Sequence, residues 1–211
     1  MALKIGITGG IGSGKSIICR IFNALGIPTF DADRETKVLM ETDADLMASL
    51  IANFGAKVYD DEGRLQRGYL AEQVFGNQSR LDLLNRLVHP VAIRAGEEWA
   101  AAASMSGKAP YTVKEAALLF ESGSYRLNDF NVLVTAPVET RIRRVMKRDG
   151  ASREQVEARI RKQMPDEEKE KLADFIILND GQTAVLPQVL ALHRRFIEPS
   201  AAGVAPDLDQ I

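Results

Sequence analysis

Eight consecutive residues near the start of the chain have the types and the spacing needed to hold a chain of phosphates. Two glycines flank four residues and are followed by Lys and Ser, which is the pattern of a phosphate-binding loop. The residues are Gly9, Gly10, Ile11, Gly12, Ser13, Gly14, Lys15 and Ser16. Glycines let the backbone wrap closely around an anion and aim successive N–H groups at it. We therefore predict a bound purine triphosphate, with Lys15 at the β- and γ-phosphates and the Ser16 hydroxyl on Mg²⁺.

The residues around this loop favour a phosphate site over a glycine-rich turn with a solvated lysine. An apolar run at 3–8 precedes the loop, and a helical apolar pattern follows it from Ile17. A strand, a loop and a helix in this order place the loop at a helix N-terminus, whose partial positive charge favours anions.

A carboxylate follows the second candidate strand. Asp33 ends the run Asp31-Ala32-Asp33, at the carboxyl edge of the expected sheet, where open α/β folds bind ligands. There it could orient an acceptor hydroxyl and take its proton late in phosphoryl transfer. The pattern equally allows Asp33 to do no more than cap a helix that begins at Arg34.

A basic helical segment lies further along the chain. Between Arg141 and Lys162 there are nine Lys or Arg against three Asp or Glu. Arg141, Arg144 and Arg148 have i, i+3, i+7 spacing and share one helix face, where they could neutralise charge on a transferred phosphoryl group. The alternative is an ordinary solvated face.

Short β-rich runs alternate with helical stretches, which predicts an α/β fold with a largely parallel sheet flanked by helices. The candidate strands are 3–8, 28–31, 111–115, 130–135 and 175–178. Roughly eighty residues without a strand signal separate the second from the third, so we expect an inserted helical subdomain. Its long second helix is expected to kink or restart at Pro90, which lacks a backbone donor. Ser152 and Gln155 predict a capping box after Gly150.

The composition limits the classes of function. The 211 residues include 27 Lys or Arg and 29 Asp or Glu, for a net charge of -2. Neither nucleic-acid nor membrane-surface binding is expected from this balance. The single cysteine, Cys19, cannot form an internal disulfide, and no apolar run approaches the ~20 residues that span a bilayer. We therefore expect a cytoplasmic location.

A phosphate loop alone does not choose among a motor, a switch, a carrier ATPase and a small-molecule kinase. The sequence lacks an Asn-Lys-x-Asp guanine-binding segment, whereas it has the carboxylate, the helical insertion and the basic lid of a small kinase. A nucleoside monophosphate-type kinase and a nucleotide-gated binding ATPase stay open as alternatives.

Further short motifs occur in a fixed order after the loop. They are Asp31-Ala32-Asp33, His89-Pro90, Leu118-Leu119-Phe120-Glu121, Arg148-Asp149-Gly150, Gln163 and Asn179-Asp180-Gly181. With these motifs the chain resembles the dephospho-CoA kinase family from residue 3 to about residue 196. The resemblance implies a P-loop fold that phosphorylates the 3′-hydroxyl of the dephospho-CoA ribose with ATP and Mg²⁺, the last step of coenzyme A synthesis.

The resemblance also implies a division of the chain. A nucleotide-binding core would take 1–33, 109–137 and 173–198, a helical CoA-binding domain 34–108, and a lid 138–172. The remaining residues, 199–211, are expected to form a disordered tail.

By position, the resemblance gives individual residues a role. The implied catalytic residues are Asp33 as the base, Lys15 and Arg144. The implied ATP contacts, besides the loop, are Ile17, Arg148 and Asn179. The implied acceptor contacts are Asp33, Arg67, His89, Phe120 and Glu121. The chain departs from the family's usual residues at Lys37, Glu115 and Ala117.

Overall fold

The computed structural model describes residues 2–107 and 109–198, so the predicted tail at 199–211 lies outside the described residues. The chain divides into two compact units, one of Met1–Thr29 with Ala100–Ile211 and one of Phe30–Trp99. The predicted division into core, CoA-binding domain and lid stays a prediction. In the part of the chain that is described, no helix has the length and apolar character to cross a membrane.

The described residues form a five-stranded sheet. Its strands are β1 (Leu3–Thr8), β2 (Thr29–Asp31), β3 (Tyr111–Glu115), β4 (Phe130–Thr135) and β5 (Phe175–Leu178). They lie in the order β2-β3-β1-β4-β5, and β1 pairs in parallel with β3 and β4, as β4 does with β5. Strands β1, β3, β4 and β5 lie in the first unit. The predicted α/β fold with a largely parallel sheet is confirmed, and the central strands are apolar because helices cover a parallel sheet on both faces.

Nine helices connect and follow these strands over the described residues. They are α1 (Lys15–Ala24), α2 (Ala32–Thr42), α3 (Ala44–Phe54), α4 (Arg67–Val74), α5 (Gln78–Met105), α6 (Val138–Asp149), α7 (Arg153–Arg161), α8 (Asp166–Leu172) and α9 (Val185–Ile197). Helix α1 buries Ile18 and Phe22, one turn apart, in the core around Tyr111, and α9 adds Val189 and Phe196 to the same core. This packing fixes the start of α1, and with it the end of the phosphate loop, against the sheet.

The second unit has its own apolar core, built by α2 to α5. Buried residues from these helices and the connecting loops form it: Met40, Leu46, Leu50, Phe54, Val58, Tyr59, Leu70 and Val88. Of the predicted kink or restart at Pro90, the restart is wrong, because α5 continues from Gln78 to Met105, and the kink stays a prediction. Proline removes one helix hydrogen bond, and the apolar residues Leu87, Val88 and Val91 pack against this core on both sides of it.

Local sequence signals set the boundaries of the basic helices. Helix α6 ends at Gly150, which has the left-handed φ of 65° that glycine adopts without strain. The predicted capping box of α7 is confirmed, because the Ser152 side chain accepts from the Gln155 N–H and the Gln155 side chain accepts from the Ser152 N–H. The turn between α6 and α7 is therefore fixed by backbone chemistry.

A lysine is buried in the short helix α8. Its sequence, Asp-Glu-Glu-Lys-Glu-Lys-Leu, indicates a solvated helix, yet the Lys169 side chain has no exposed surface. The Lys169 Nζ lies 3.5 Å from the Glu121 Oε1, an ion-pair contact longer than a good hydrogen bond. Glu121 Oε1 also accepts from the Met164 N–H at 3.0 Å, and the Glu121 side chain is 21% exposed. Water therefore reaches the carboxylate and not the ammonium.

This asymmetry predicts unequal costs for removing the two partners. We expect Glu121→Gln to lower the free energy of unfolding by about 3 kcal/mol, because it leaves a buried ammonium without an opposite charge. Lys169→Met should cost less, because Glu121 keeps water and the Met164 N–H as partners. Urea unfolding followed by circular dichroism measures both values, and a larger loss for Lys169→Met would contradict the prediction.

Candidate active site

The phosphate loop connects the carboxyl end of β1 to the first turn of α1, as its sequence predicts. Gly14 is the N-cap residue of α1 and has a φ of 97°. The Lys15 Nζ donates to the Gly9 carbonyl at 2.9 Å, across the loop, and the Ser13 N–H donates to the Gly10 carbonyl. Amide groups at a helix N-terminus after a glycine-rich turn form an anion-binding concavity.

Two predicted site residues support this loop through its carbonyl groups. The Asn179 Nδ2 donates to the Ser13 carbonyl at 2.7 Å, and Asn179 is buried. The Arg144 NH1 donates to the Asn179 carbonyl at 2.9 Å and lies 3.4 and 3.5 Å from the carbonyl oxygens of Gly12 and Ser13. A Cβ on Gly14 would collide with the Asn179 side-chain amide, so the close approach requires glycine there.

Oxygen atoms from two elements meet beside the first turn of α1. The Ser16 Oγ donates to the Glu115 Oε1 at 2.9 Å, which joins the loop to the carboxyl end of β3. Glu115 is one of the positions where the chain departs from the usual residue of the family it resembles. Its carboxylate reaches the Ser16 hydroxyl. Ile17, the next residue, is 46% exposed.

The three arginines of α6 have different surroundings. The Arg141 side chain is 4% exposed and forms a two-point contact with Asp166, with the Arg141 NH2 2.9 Å from the Asp166 Oδ2. A Cβ on Gly10 would collide with the Arg141 guanidinium, which therefore lies against the loop. Arg148, a predicted ATP contact, is exposed and pairs with Asp149, and this hydrogen bond lowers the pKa of the Asp149 carboxyl.

The segment between α7 and α8 contacts the phosphate loop and the loop after β3. Ile11 donates its N–H to the Gln163 Oε1 at 2.8 Å, and Glu121 accepts from the Met164 N–H. Glu121, predicted as an acceptor contact, therefore binds the segment between α7 and α8 in this structure. Phe120, predicted with it, is buried and packs edge-on against the Tyr125 ring. The sequence motifs included Gln163 but gave no role for it.

The other predicted acceptor residues lie in the second unit. Asp33 is in the first turn of α2, and the helix is capped by Asp31, whose Oδ1 accepts from the Arg34 N–H at 2.9 Å. The alternative role of Asp33 as the cap is therefore wrong.

Arg67 begins α4 and pairs with Glu41 at 3.5 Å on the surface. His89 lies within α5, where burial lowers the pKa of its ring, so the imidazole is neutral at pH 7.

Comparison with known proteins agrees with this arrangement. Residues 3–185 match the profile of the family described as dephospho-CoA kinase. A dephospho-CoA kinase from Salinibacter ruber is 43% identical over 180 residues, 84% of this chain and 88% of its own. One from Bacteroides fragilis is 39% identical over 192 residues, 91% of this chain and 92% of its own. The solved dephospho-CoA kinase of Campylobacter jejuni has a TM-score of 0.70 at 28% identity, covering 95% of this chain and 100% of that one. The resemblance and the P-loop fold predicted from the motifs are confirmed, and the chain belongs to the dephospho-CoA kinase family.

Proposed function

We propose that this chain transfers the γ-phosphoryl group of ATP to the 3′-hydroxyl of the dephospho-CoA ribose, forming CoA and ADP. The observation that carries the proposal is the phosphate loop between β1 and α1, with Lys15 and Ser16 in place, in a member of the dephospho-CoA kinase family. The relatives above are named for this activity. We also propose a cytoplasmic location, because a chain with Cys19 as its single cysteine suits a reducing compartment.

In the proposed reaction the bond between γ-phosphorus and the β–γ bridging oxygen breaks, and a bond from the ribose oxygen to that phosphorus forms. The hydroxyl proton passes to the Asp33 carboxylate and then to water. Loop amides and Lys15 hold the triphosphate, and Arg148 supplies a further cation for it. Arg67, His89, Phe120 and Glu121 are proposed on the acceptor side, where the neutral His89 ring could exchange a hydrogen bond with the acceptor without adding charge.

The residues at the start of α1 fit a magnesium ion brought with the nucleotide. Mg²⁺ prefers oxygen ligands, keeps several waters, and takes one or two protein ligands in phosphate-transfer sites. The Ser16 hydroxyl and the Glu115 carboxylate, which already lie 2.9 Å apart, supply such oxygens. When bound, the ion neutralises charge on the β- and γ-phosphates.

The proposed function is tested by mixing the protein with MgATP and dephospho-CoA. We expect CoA and ADP in equal amounts, and no turnover by Lys15→Ala, which removes the ammonium from the triphosphate. Chromatographic separation of ADP from ATP and of CoA from dephospho-CoA measures both products. A panel with AMP and CMP as acceptors covers the nucleoside monophosphate kinase alternative, and preference for either would overturn the assignment. ATP hydrolysis unaffected by any acceptor would favour the nucleotide-gated ATPase.

The role of Asp33 predicts a selective loss of rate. Asp33→Asn should lower kcat by about 10² or more and leave ATP affinity nearly unchanged, because the base acts on the acceptor proton. Asp31→Asn is the matched control, since asparagine caps a helix as well as aspartate does and the same helix start loses one charge. Steady-state kinetics and calorimetry with ATP separate the two effects. Equal kcat losses in both variants would remove Asp33 as the base.

The contacts of Arg144 predict that lysine cannot replace it. Arg144→Lys keeps the charge but loses the planar fork that binds several carbonyls at once, so kcat/KM for ATP should fall about tenfold or more. Arg143→Lys, a change at the exposed neighbouring residue, is the control and should leave kcat/KM unchanged. If both variants behave alike, the support of the loop by Arg144 does not matter for ATP use.

A further inference from the structure

The segment that joins α7 to α8 makes polar contacts with three other parts of the first unit, the phosphate loop, the loop after β3 and helix α6. We name residues 163–166 the docking strap. The Gln163 Oε1 accepts from the Ile11 N–H of the phosphate loop at 2.8 Å, across 152 positions of sequence. The Met164 N–H donates to Glu121, and Asp166 pairs with the buried Arg141. Each bond links the strap to a different element of the first unit.

The apolar core clusters of the described residues include no residue of the strap. A cavity of about 310 Å³ lies beside it, between α6, α7 and the start of α8. Its lining includes Val138, Ile160, Gln163, Met164, Pro165 and Asp166. Because this cavity is open to solvent on one side, the strap has water rather than protein there, and we expect its hydrogen bonds and its ion pair to hold it in place. Losing one of those bonds should therefore move it.

We propose that Gln163 is a positioning residue that docks the lid on the phosphate loop during phosphoryl transfer, an inference that rests on the proposed kinase function. The Ile11 N–H belongs to the loop that binds the triphosphate, and its partner comes from the lid. A carboxamide accepts this bond without adding a negative charge beside the phosphates, whereas a carboxylate there would repel them.

A docked lid decides which oxygen receives the phosphoryl group. In both outcomes the bond from γ-phosphorus to the β–γ bridging oxygen breaks and ADP leaves. With water excluded, the new bond forms to the ribose oxygen and CoA results. When the lid is not docked, a water oxygen takes the phosphoryl group, inorganic phosphate forms, and the water proton goes to solvent. The ratio of CoA to phosphate therefore reports the docking of the lid.

The test compares Gln163→Met with Gln155→Met in the full chain. Both replace a glutamine of the lid by a side chain of similar length, but the Gln155 side chain accepts from Ser152 within the lid and not from the loop. With MgATP and dephospho-CoA, Gln163→Met should lower the ratio of CoA to phosphate about tenfold or more and leave the KM for ATP within about twofold. Gln155→Met should keep the ratio of the unmodified protein.

A second measurement does not depend on the acceptor. Hydrogen exchange of the Ile11 amide, followed by NMR without ligands, should become faster in Gln163→Met and stay slow in Gln155→Met. Gln163→Glu keeps an acceptor oxygen, so it should keep the Ile11 amide slow but raise the KM for ATP.

The outcomes separate this inference from the proposed function. If the unmodified protein forms no CoA, the proposed kinase function is wrong. The exchange rates of the Ile11 amide still decide whether Gln163 docks the lid. Unchanged exchange at Ile11 in Gln163→Met would overturn the docking. Faster exchange with an unchanged ratio of CoA to phosphate would overturn the role of that contact in transfer.

Discussion

The shape of the phosphate loop depends on what binds its carbonyl groups. A loop that turns its N–H groups toward an anion must turn carbonyls away from it, and buried carbonyls need donors. Here Lys15 donates to Gly9, Asn179 donates to Ser13, and Arg144 approaches the carbonyls of Gly12 and Ser13. The loop is therefore braced by cationic and amide donors, of which Asn179 and Arg144 come from other elements. These donors also oppose the partial negative charge of the carbonyls, which leaves the amide side more favourable to phosphate.

The close approach of these supporting groups requires glycine in the loop, as the binding of an anion also does. Helix α6 approaches so closely that a Cβ on Gly12, where φ is 80°, would lie 2.6 Å from the Arg141 carbonyl oxygen. Gly14 faces the Asn179 side chain at similarly short range. The glycine spacing therefore meets two demands at once, one from the phosphates and one from the helix and the strand end that support the loop.

Local signals in the sequence predicted the strands and most helix ends. The features that the sequence did not predict depend on contacts between residues far apart in the chain. Buried strands and caps such as Ser152 depend on neighbours within a few positions, and the structure has them as predicted. The sequence allowed Asp33 as the cap of α2, whereas the cap is Asp31, two residues earlier, because both are good cap residues and only the backbone decides between them. The burial of Lys169 leaves no periodic signal in a charged run of seven residues, since its partner Glu121 lies 48 positions earlier in sequence. Side-chain pairs of this kind become visible only when the fold brings them together.

The arginines of α6 show why a shared helix face does not mean a shared role. Arg141 is desolvated and held by two points of contact with Asp166, so moving it to a ligand would cost the pairing of a buried charge. Arg144 is already bound to the carbonyls of the loop and strand end. Arg148 pairs in water with Asp149, an exposed ion pair that contributes on the order of 0–1 kcal/mol. Of the three, Arg148 can therefore exchange its partner for a phosphate at the lowest cost, while Arg144 joins α6 to the carbonyls of the loop and Arg141 joins α6 to α8.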